Sequence, residues 1–404
     1  MKQNILGIAL AALTVSAIAL YPAWQDKALA LPTPPVKQSP IALLAPPSKP
    51  RVDLVFVLDT TGSMGGLIDA AKEKIWSIAT TMARAQPAPE IRIGLVAYRD
   101  RGDQYVTQVF DLTTDLDSMY AHLMDFKADG GGDGPEAVNQ ALQEAVTRMS
   151  WNADQSAYKA VFLVGDAPPH MDYQDDVKYP ATLSLAKQRG IVVNTIQCGT
   201  DGSATVPWQQ IAALGAGDFL HVEQDGNAVA IATPYDEPLA RLSAKLDATR
   251  LYYGDKDVQA EKRAKLDATS KLEAKASIAA KARRATFNAS ASGAANLLGD
   301  QELVNDVASG RVRLADIRQE ELPTALQAMA PAAQAAYIKD HAAKRDTLKK
   351  EMQAAADQRA DYLKHKVAES GGAAASLDAK LFGTLRSQAK RVGALELEKD
   401  GPAY

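Results

Sequence analysis

One carboxylate and two hydroxyls directly follow an apolar run in the segment Val52–Met64 (VDLVFVLDTTGSM). An apolar run that stops in turn residues is typical of a buried strand. Asp59, Thr61 and Ser63 alternate within the turn, so their oxygens can face one point. Such oxygens are hard ligands, suited to magnesium, calcium or manganese. The alternative is that Thr61 or Ser63 only caps the following helix.

Other acids stand near the ends of further apolar runs. Asp100 closely follows IRIGLVAY, Asp166 follows AVFLVG, and Asp133 and Glu136 lie in the glycine-rich stretch GGGDGPEA. Burying several carboxylates together is costly unless a cation neutralises them. We therefore predict a divalent-cation site, with magnesium as the first choice and calcium or manganese as alternatives. Its predicted ligands, some of them acting through water, are Asp59, Thr61, Ser63, Glu136 and Asp166.

These residues carry a family resemblance over about 51–249. The sequence resembles a von Willebrand factor type A (VWA) domain with a metal-ion-dependent adhesion site, whose first motif is Asp-x-Ser/Thr-x-Ser. The later Asp of that family matches Asp166, whereas its usual middle-loop Thr has no clear counterpart. The DAPPH stretch is closer to A domains found beside alpha-kinases and in bacterial secreted proteins. The resemblance implies that an open cation position accepts a carboxylate from a protein partner.

A second cation site is implied by a narrower likeness. Asp133-Gly134-Pro135-Glu136 resembles the Asp-x-Pro-Glu loop of integrin β-subunit domains. In that reading Asp100, Asp133, the Pro135 carbonyl and Glu136 form a neighbouring site. The alternative is that Asp100 pairs with an adjacent arginine and Asp133 caps a helix.

The elements that must position these residues alternate between strand and helix patterns. Strands are predicted at 52–59, 91–98, 105–112, 160–165, 190–199 and 217–222, with helices at 64–86, 116–127, 133–149, 179–189 and 206–214. Alternation of this kind predicts an α/β fold, with a doubly wound, mostly parallel six-stranded sheet and helices on both faces.

The C-terminal region, 250–404, is rich in Ala, Lys and Glu and is predicted to be all α-helical. Helices are predicted at 237–251, 258–286, 331–369 and 377–392, and 287–299 is predicted to be a flexible joint. The long helix has only a thin apolar stripe, which predicts helical hairpins or a loose coil that covers part of the A domain or another chain.

The N-terminus predicts export. Residues 1–30 form a signal peptide or membrane anchor around the uncharged run Ile5–Leu20, and 31–50 form a proline-rich linker. We therefore expect an extracytoplasmic protein, periplasmic, secreted or anchored through its N-terminus only. The chain has 404 residues and a net charge of −4 without a basic stripe, which argues against nucleic acid as a partner.

The leading functional hypothesis is a non-enzymatic module that binds a protein in a cation-dependent way. The first alternative is a metal-dependent phosphotransferase or hydrolase. Enzymes of the haloacid-dehalogenase type need a second Asp two residues after the first as general acid, and Thr61 stands there. A second alternative is a structural envelope protein that binds through its helical tail. A third, a partner subunit of a cytoplasmic ATPase, conflicts with the predicted export.

Overall fold

A six-stranded sheet lies at the centre of the fold, in the strand order β3-β2-β1-β4-β5-β6. The computed structural model describes residues 49–132, 134–224, 231–369, 377–392 and 395–397. The strands are β1 (Arg51–Asp59), β2 (Glu90–Tyr98), β3 (Thr107–Thr113), β4 (Tyr158–Gly165), β5 (Ile191–Cys198) and β6 (Ala216–Val222). Neighbouring strands are parallel except that β3 runs antiparallel to β2 at one edge. This confirms the predicted mostly parallel sheet.

Helices cover both faces of the sheet, as its alternation of buried side chains requires. Leu54 and Leu58 of β1 belong to one buried cluster, and Val55 and Val57 belong to the other. The first cluster includes α1 (Gly65–Ala83) and α2 (Leu116–Asp125); the second includes α3 (Val138–Thr147), α4 (Tyr179–Gln188) and α5 (Gly202–Leu214). Helices therefore cover both faces of the sheet, and the loops lie at the ends of the strands.

The described part of the predicted C-terminal region, 250–404, is helical, as expected, and the helix that precedes it at Asp236–Asp247 packs with it, so the helical region begins at Asp236. Its helices are α6 (Asp236–Asp247), α7 (Lys256–Lys275), α8 (Ile278–Ala289), α9 (Ala294–Leu298), α10 (Leu303–Ala308), α11 (Thr324–Gln327), α12 (Pro331–Glu369) and α13 (Leu377–Val392). Short 3-10 turns lie at Leu314–Asp316 and Gln319–Glu321. Within the described ranges, none of the helices is both long enough and apolar enough to cross a bilayer. The predicted signal and nearly all of the predicted linker lie outside the described residues.

Two details of the helical region differ from the sequence prediction. The run 258–286 was expected to be one helix, but it breaks after Lys275 because Ser277 begins a new helix and its hydroxyl accepts a hydrogen bond from the Ala280 amide at 3.0 Å. The segment 287–299 was expected to be a flexible joint. Instead Phe287 and Leu297 are each only 1% exposed, so this segment is part of the core.

Buried ion pairs join the helical region to itself and to the sheet-bearing part. Arg284 is fully buried and bonds both Asp117 of α2 and Asp247 of α6. The Arg345 guanidinium forms a two-pronged pair with Glu302, at 2.7 and 3.0 Å. The described part of 49–404 accordingly packs as one compact unit. The thin apolar stripe of α12 is thus supplemented by paired charges, and the loose coil is not what forms.

The last helix, α13, returns to the sheet. Its Leu381 and Leu385 join the cluster on the α1 face. Gln388 accepts hydrogen bonds from the Tyr158 hydroxyl at 2.8 Å and from Asn194 at 3.2 Å, and its own amide donates to Asn194 at 2.6 Å. The C-terminal helix therefore completes the cover of the sheet with a fully buried polar contact.

Candidate functional site

Asp59 ends the central strand β1, next to Tyr98 in the register with β2. Its side chain is fully buried. The backbone amide and the hydroxyl of Thr61 both donate to Asp59 Oδ1, at 2.8 and 2.7 Å. Ser63 Oγ lies 3.5 Å from the Thr61 hydroxyl and is exposed. The three alternating oxygens are therefore brought together, and neither hydroxyl caps the helix that follows.

Asp166 follows β4, on the strand adjacent to β1. The preceding Gly165 makes room for the site, because a Cβ there would lie 2.4 Å from the Tyr98 hydroxyl and 3.1 Å from Asp59 Oδ2. Asp166 is partly exposed, and its Oδ2 accepts a hydrogen bond from Gln224 Nε2 at 2.8 Å. The same amide donates to the Ser63 carbonyl at 3.0 Å. Gln224 thus joins the loops that carry Ser63 and Asp166.

Glu136 reaches the site from the glycine-rich loop. Its amide donates to the Pro168 carbonyl at 2.9 Å, and its carbonyl accepts from the His170 amide at 3.1 Å. This short parallel bridge explains why α3 begins at Val138 rather than in the predicted stretch 133–135. Glu136 Oε1 and the Thr61 side chain both lie 3.4 Å from the point where a Gly131 Cβ would stand, so they face the same space.

Backbone contacts fix the glycine-rich loop against the first turn. The Gly62 amide donates to the Gly130 carbonyl at 3.2 Å. Arg99, which is only 3% exposed, donates to the carbonyls of Thr60 at 3.2 Å and Lys127 at 2.9 Å. Gly130 has φ +78, and a Cβ there would lie 2.3 Å from a carboxylate oxygen of Asp103. The position of the loop therefore depends on the buried Arg99 side chain and on Gly130, which cannot be replaced without strain.

Two carboxylate oxygens of the site, Asp59 Oδ2 and Glu136 Oε2, are buried and have no hydrogen-bond partner among the residues that the structure describes. Burial, aided by the nearby Asp166, raises the pKa of Asp59 to about 7, although the hydrogen bonds from Thr61 oppose the rise. Burial and the charge of Asp59 raise the pKa of Glu136 to about 9. Charged together, these acids are unfavourable unless something positive lies between them.

A polar cleft opens above these oxygens. It is lined by Thr61, Gly62, Ser63, Gly130, Gly131, Gly134, Glu136, Asp166, Ala167, Cys198, Thr200, Asp201 and Gln224. Four of the five predicted metal ligands line it, and the fifth, Asp59, holds Thr61 from beneath. When only His, Cys, Asp and Glu are counted, the described residues contain no group of three placed to hold a metal ion.

The predicted second site is only partly visible. Asp133 lies outside the described residues, and neither Asp100 nor Pro135 lines the cleft. Asp100 Oδ2 accepts from the Tyr173 hydroxyl at 2.8 Å and lies 3.4 Å from His170 Nε2. Its neighbours Arg99 and Arg101 pair with other acids, so the alternative, an ion pair between Asp100 and an adjacent arginine, does not form. The second cation site stays a prediction.

Gln224 is a site neighbour that sequence reasoning missed, and His170 is a nearby loop histidine that we did not include among the predicted ligands. Gln224 lies just after the last strand, where the chain leaves the sheet, and a lone glutamine has no motif. His170 is 4% exposed, and its ring stacks on Tyr173 with 4.0 Å between the centroids. Its place four residues after Asp166 was the one available signal. Gln224 holds Asp166 of the site, whereas His170 lies beside Asp100 and Asp172, which do not line the cleft.

Comparison with known sequences agrees with this architecture. Residues 53–217 match the sequence model of the von Willebrand factor A domain. The chain therefore contains a VWA domain, which is a fold class associated with protein–protein interaction.

Individual relatives match less than a third of the chain. Over 120 residues the chain is 38% identical to von Willebrand factor A domain-containing protein 7 of Homo sapiens, which is 30% of this chain and 12% of that protein. It is 27% identical over 120 residues to alpha-protein kinase vwkA of Dictyostelium discoideum, covering 30% of this chain and 19% of the kinase. The chain thus spans less than a fifth of either relative.

Among solved structures, one similar fold is proximal thread matrix protein 1 from the mussel byssus, with a zinc-occupied MIDAS motif. The identity is 19%, the TM-score is 0.35, and the match covers 44% of this chain and 43% of that one.

Proposed function

We propose that this protein is a non-enzymatic binding module that takes up a divalent cation and uses it to bind a protein partner outside the cytoplasm. The observation that carries the proposal is the pair of buried, unpartnered oxygens Asp59 Oδ2 and Glu136 Oε2 beside an open polar cleft. Isolated buried carboxylates are rare because they are costly, and a cation would remove that cost.

The donors in and beneath the cleft fit a hard cation. They are carboxylate and hydroxyl oxygens, the type that magnesium, calcium and manganese prefer. The residues that would hold the cation are Asp59, Thr61, Ser63, Glu136 and Asp166. Because no three acids among the described residues are placed to hold a metal ion by themselves, the hydroxyls of Thr61 and Ser63 would have to contribute.

The same donor set favours binding over catalysis. Two of its members are neutral hydroxyls, so a bound cation would keep an electrophilic position for a partner's carboxylate. The Thr61 hydroxyl donates a hydrogen bond to Asp59 Oδ1, and a threonine hydroxyl cannot serve as the general acid of a phosphotransferase. The exposed Ser63 at the rim leaves the cleft accessible to a side chain from another protein.

Calorimetry tests the cation site. Magnesium, manganese and calcium should be titrated separately into the intact chain, Asp59→Ala and Asp166→Ala. We expect both variants to bind at least about tenfold more weakly, since each loses a charged ligand. The control is Asp69→Ala, a carboxylate on α1 that is 79% exposed and pairs only with Lys72. Unchanged affinity in both site variants would contradict the proposal.

Partner binding is tested by a pull-down from envelope extract with the full chain, in magnesium or in chelator. Loss of the same captured protein in chelator and in Asp59→Ala supports the proposal. Capture that persists in both conditions would favour binding through the helical tail. Magnesium-dependent hydrolysis of p-nitrophenyl phosphate that Asp59→Ala abolishes would favour the enzyme.

The proposed extracytoplasmic localisation is based on the sequence of residues 1–30. A C-terminally tagged full chain should fractionate with the periplasm, the medium or the membrane. Recovery of the full-length chain in the cytosol would contradict an extracytoplasmic role and favour the partner subunit of an ATPase.

A further inference from the structure

A second cleft lies in the helical region, between α7 and the segment 322–324. It is lined by Arg250, Leu251, Tyr252, Gln259, Lys262, Arg263, Leu266, Leu322, Pro323 and Thr324. Three of these ten residues are cationic and none is acidic, although the chain as a whole has 49 acidic and 45 basic residues. The lining therefore carries positive charge without any negative charge, and about half of its residues are apolar.

The cations of this cleft are incompletely neutralised. Arg250 is buried, and its nearest acid, Asp247 at 3.4 Å, is shared with the closer Arg284 at 2.6 Å. Lys262 pairs with Glu261, which is 71% exposed, so this pair is screened by water. Arg263 is exposed, and no carboxylate of the described ranges lies within ion-pair distance of it. An anion in the cleft would therefore meet positive charge from three side chains.

Tyr252 gives an independent sign of a ligand. It is 9% exposed, and its buried hydroxyl lies beside the Arg250 guanidinium but forms no hydrogen bond of acceptable geometry within the described ranges. A buried hydroxyl in this condition is expected to have an unseen acceptor or donor beside it. The backbone of Tyr252 is held by an antiparallel bridge to Glu302, and the Leu251 amide donates to the Glu302 carboxylate at 2.9 Å. The wall of the cleft is thus fixed in place before any ligand arrives.

Acids of the adjoining turn do not cancel this charge. Glu320 and Glu321 both pair with Arg318 and do not line the cleft. Leu322 and Pro323 of the facing segment, together with Leu266 of α7, provide an apolar surface. Positive and apolar walls therefore face the same space, an arrangement typical of small-molecule sites.

We propose that this cleft binds a small organic phosphate monoester. The phosphate would face Arg250, Lys262 and Arg263 and accept a hydrogen bond from the Tyr252 hydroxyl. The organic part would pack on the apolar wall. This site is separate from the polar cleft around Thr61, Ser63, Glu136 and Asp166, which we call the VWA cleft. It does not depend on a cation in that cleft, since the two sites share no lining residue.

Phenyl phosphate is the probe, titrated by calorimetry into the full chain in chelator so that the VWA cleft contributes nothing through a cation. We expect one site per chain, with inorganic phosphate about tenfold weaker because it lacks the ring, and benzoate weaker because it has one charge fewer. Arg263→Gln and Tyr252→Phe should each weaken phenyl phosphate binding by about tenfold, as expected for one hydrogen bond to a charged group. Lys275→Gln, an exposed cation on the same helix, should leave it unchanged.

Tyr252→Phe also separates a binding role from a structural one. Among the described residues its hydroxyl forms no hydrogen bond of acceptable geometry, so its removal should leave the thermal unfolding midpoint nearly unchanged. No binding of phenyl phosphate would overturn the proposal. So would binding that neither variant weakens, or inorganic phosphate or benzoate that binds as tightly as phenyl phosphate.

Discussion

Replacement of Arg284 by methionine should destabilise the protein more than any exposed charge change. The Arg284 guanidinium donates to Asp117 at 2.5 and 2.6 Å, to Asp247 at 2.6 and 3.0 Å, and to Ser243 at 2.8 Å. Methionine would leave two buried carboxylates without their main partner. Breaking a buried ion pair from one side costs about 3–5 kcal/mol, and we expect a loss of that size at pH 7.

The pH dependence has a definite sign. Burial by itself would raise the pKa of Asp117, but the charge of Arg284 outweighs it and holds that pKa well below its ordinary value. In the intact protein this pair therefore contributes stability above about pH 4 that is lost as the pH falls further. In Arg284→Met the carboxylates are destabilising when charged, so acid should relieve the defect. Because burial alone raises the pKa of Asp117, this relief should begin above pH 4. The difference in unfolding free energy between the two proteins should therefore shrink as the pH falls from 7 and shrink further below about pH 4.

Unfolding in guanidinium chloride, followed by circular dichroism, measures this difference in unfolding free energy. Arg241→Met is the matched control, because Arg241 is 64% exposed and pairs with the equally exposed Glu237 on α6. We expect the control to change stability by less than about 0.5 kcal/mol. Addition of Asp117→Asn to Arg284→Met should recover part of the loss. A loss below about 1 kcal/mol for Arg284→Met, or one that does not change with pH, would refute the reasoning.

Three further predictions concern the VWA cleft. In chelator, folded Asp59 and Glu136 keep protons that the unfolded chain releases near pH 4, so the melting temperature should fall as the pH rises from about 4 to 9. Saturating magnesium should make that fall smaller. The same pH dependence of the melting temperature with and without magnesium would contradict the prediction. Gln224→Ala should change cation affinity measured by calorimetry without lowering the melting temperature, since its amide contacts the site at Asp166; an unchanged affinity would exclude this role. Gly165→Ala should lower the melting temperature by several degrees because its methyl group would meet the Tyr98 hydroxyl at 2.4 Å.

The sheet could be predicted because it depends on local pattern, and the same pattern selected the candidate site residues, whose role as metal ligands stays a prediction. Runs such as VDLVFVLD end in a turn, and parallel strands bring those turns to one edge. Asp59, Thr61 and Ser63 were predicted from their alternation alone, and the bonds between them now follow. Helix bounds were less accurate where a loop contact intervened, as at Glu136, whose bridge to Pro169 delays α3.

The helical region was harder to predict because its core is partly ionic. Arg284, Arg345 and Arg359 stand in sequence stretches that look like solvated helix faces, yet each is at most 4% exposed. Their partners lie from 37 to 167 residues away in the chain. A single sequence shows charge and spacing but not such distant pairing, so burial of these arginines could not be inferred.

The position of the helical region bears on how the VWA cleft would be used. Every residue that lines the cleft lies between Thr61 and Gln224, so no described residue of α6–α13 covers it. The helical region instead contacts the sheet-bearing part through α1, α2, β5 and β6, with Arg283 bonded to Glu73 and Arg284 to Asp117. A partner could reach the cleft without displacing those helices. Cation affinity and global stability should therefore respond to different substitutions, Asp166→Ala for the first and Arg284→Met for the second.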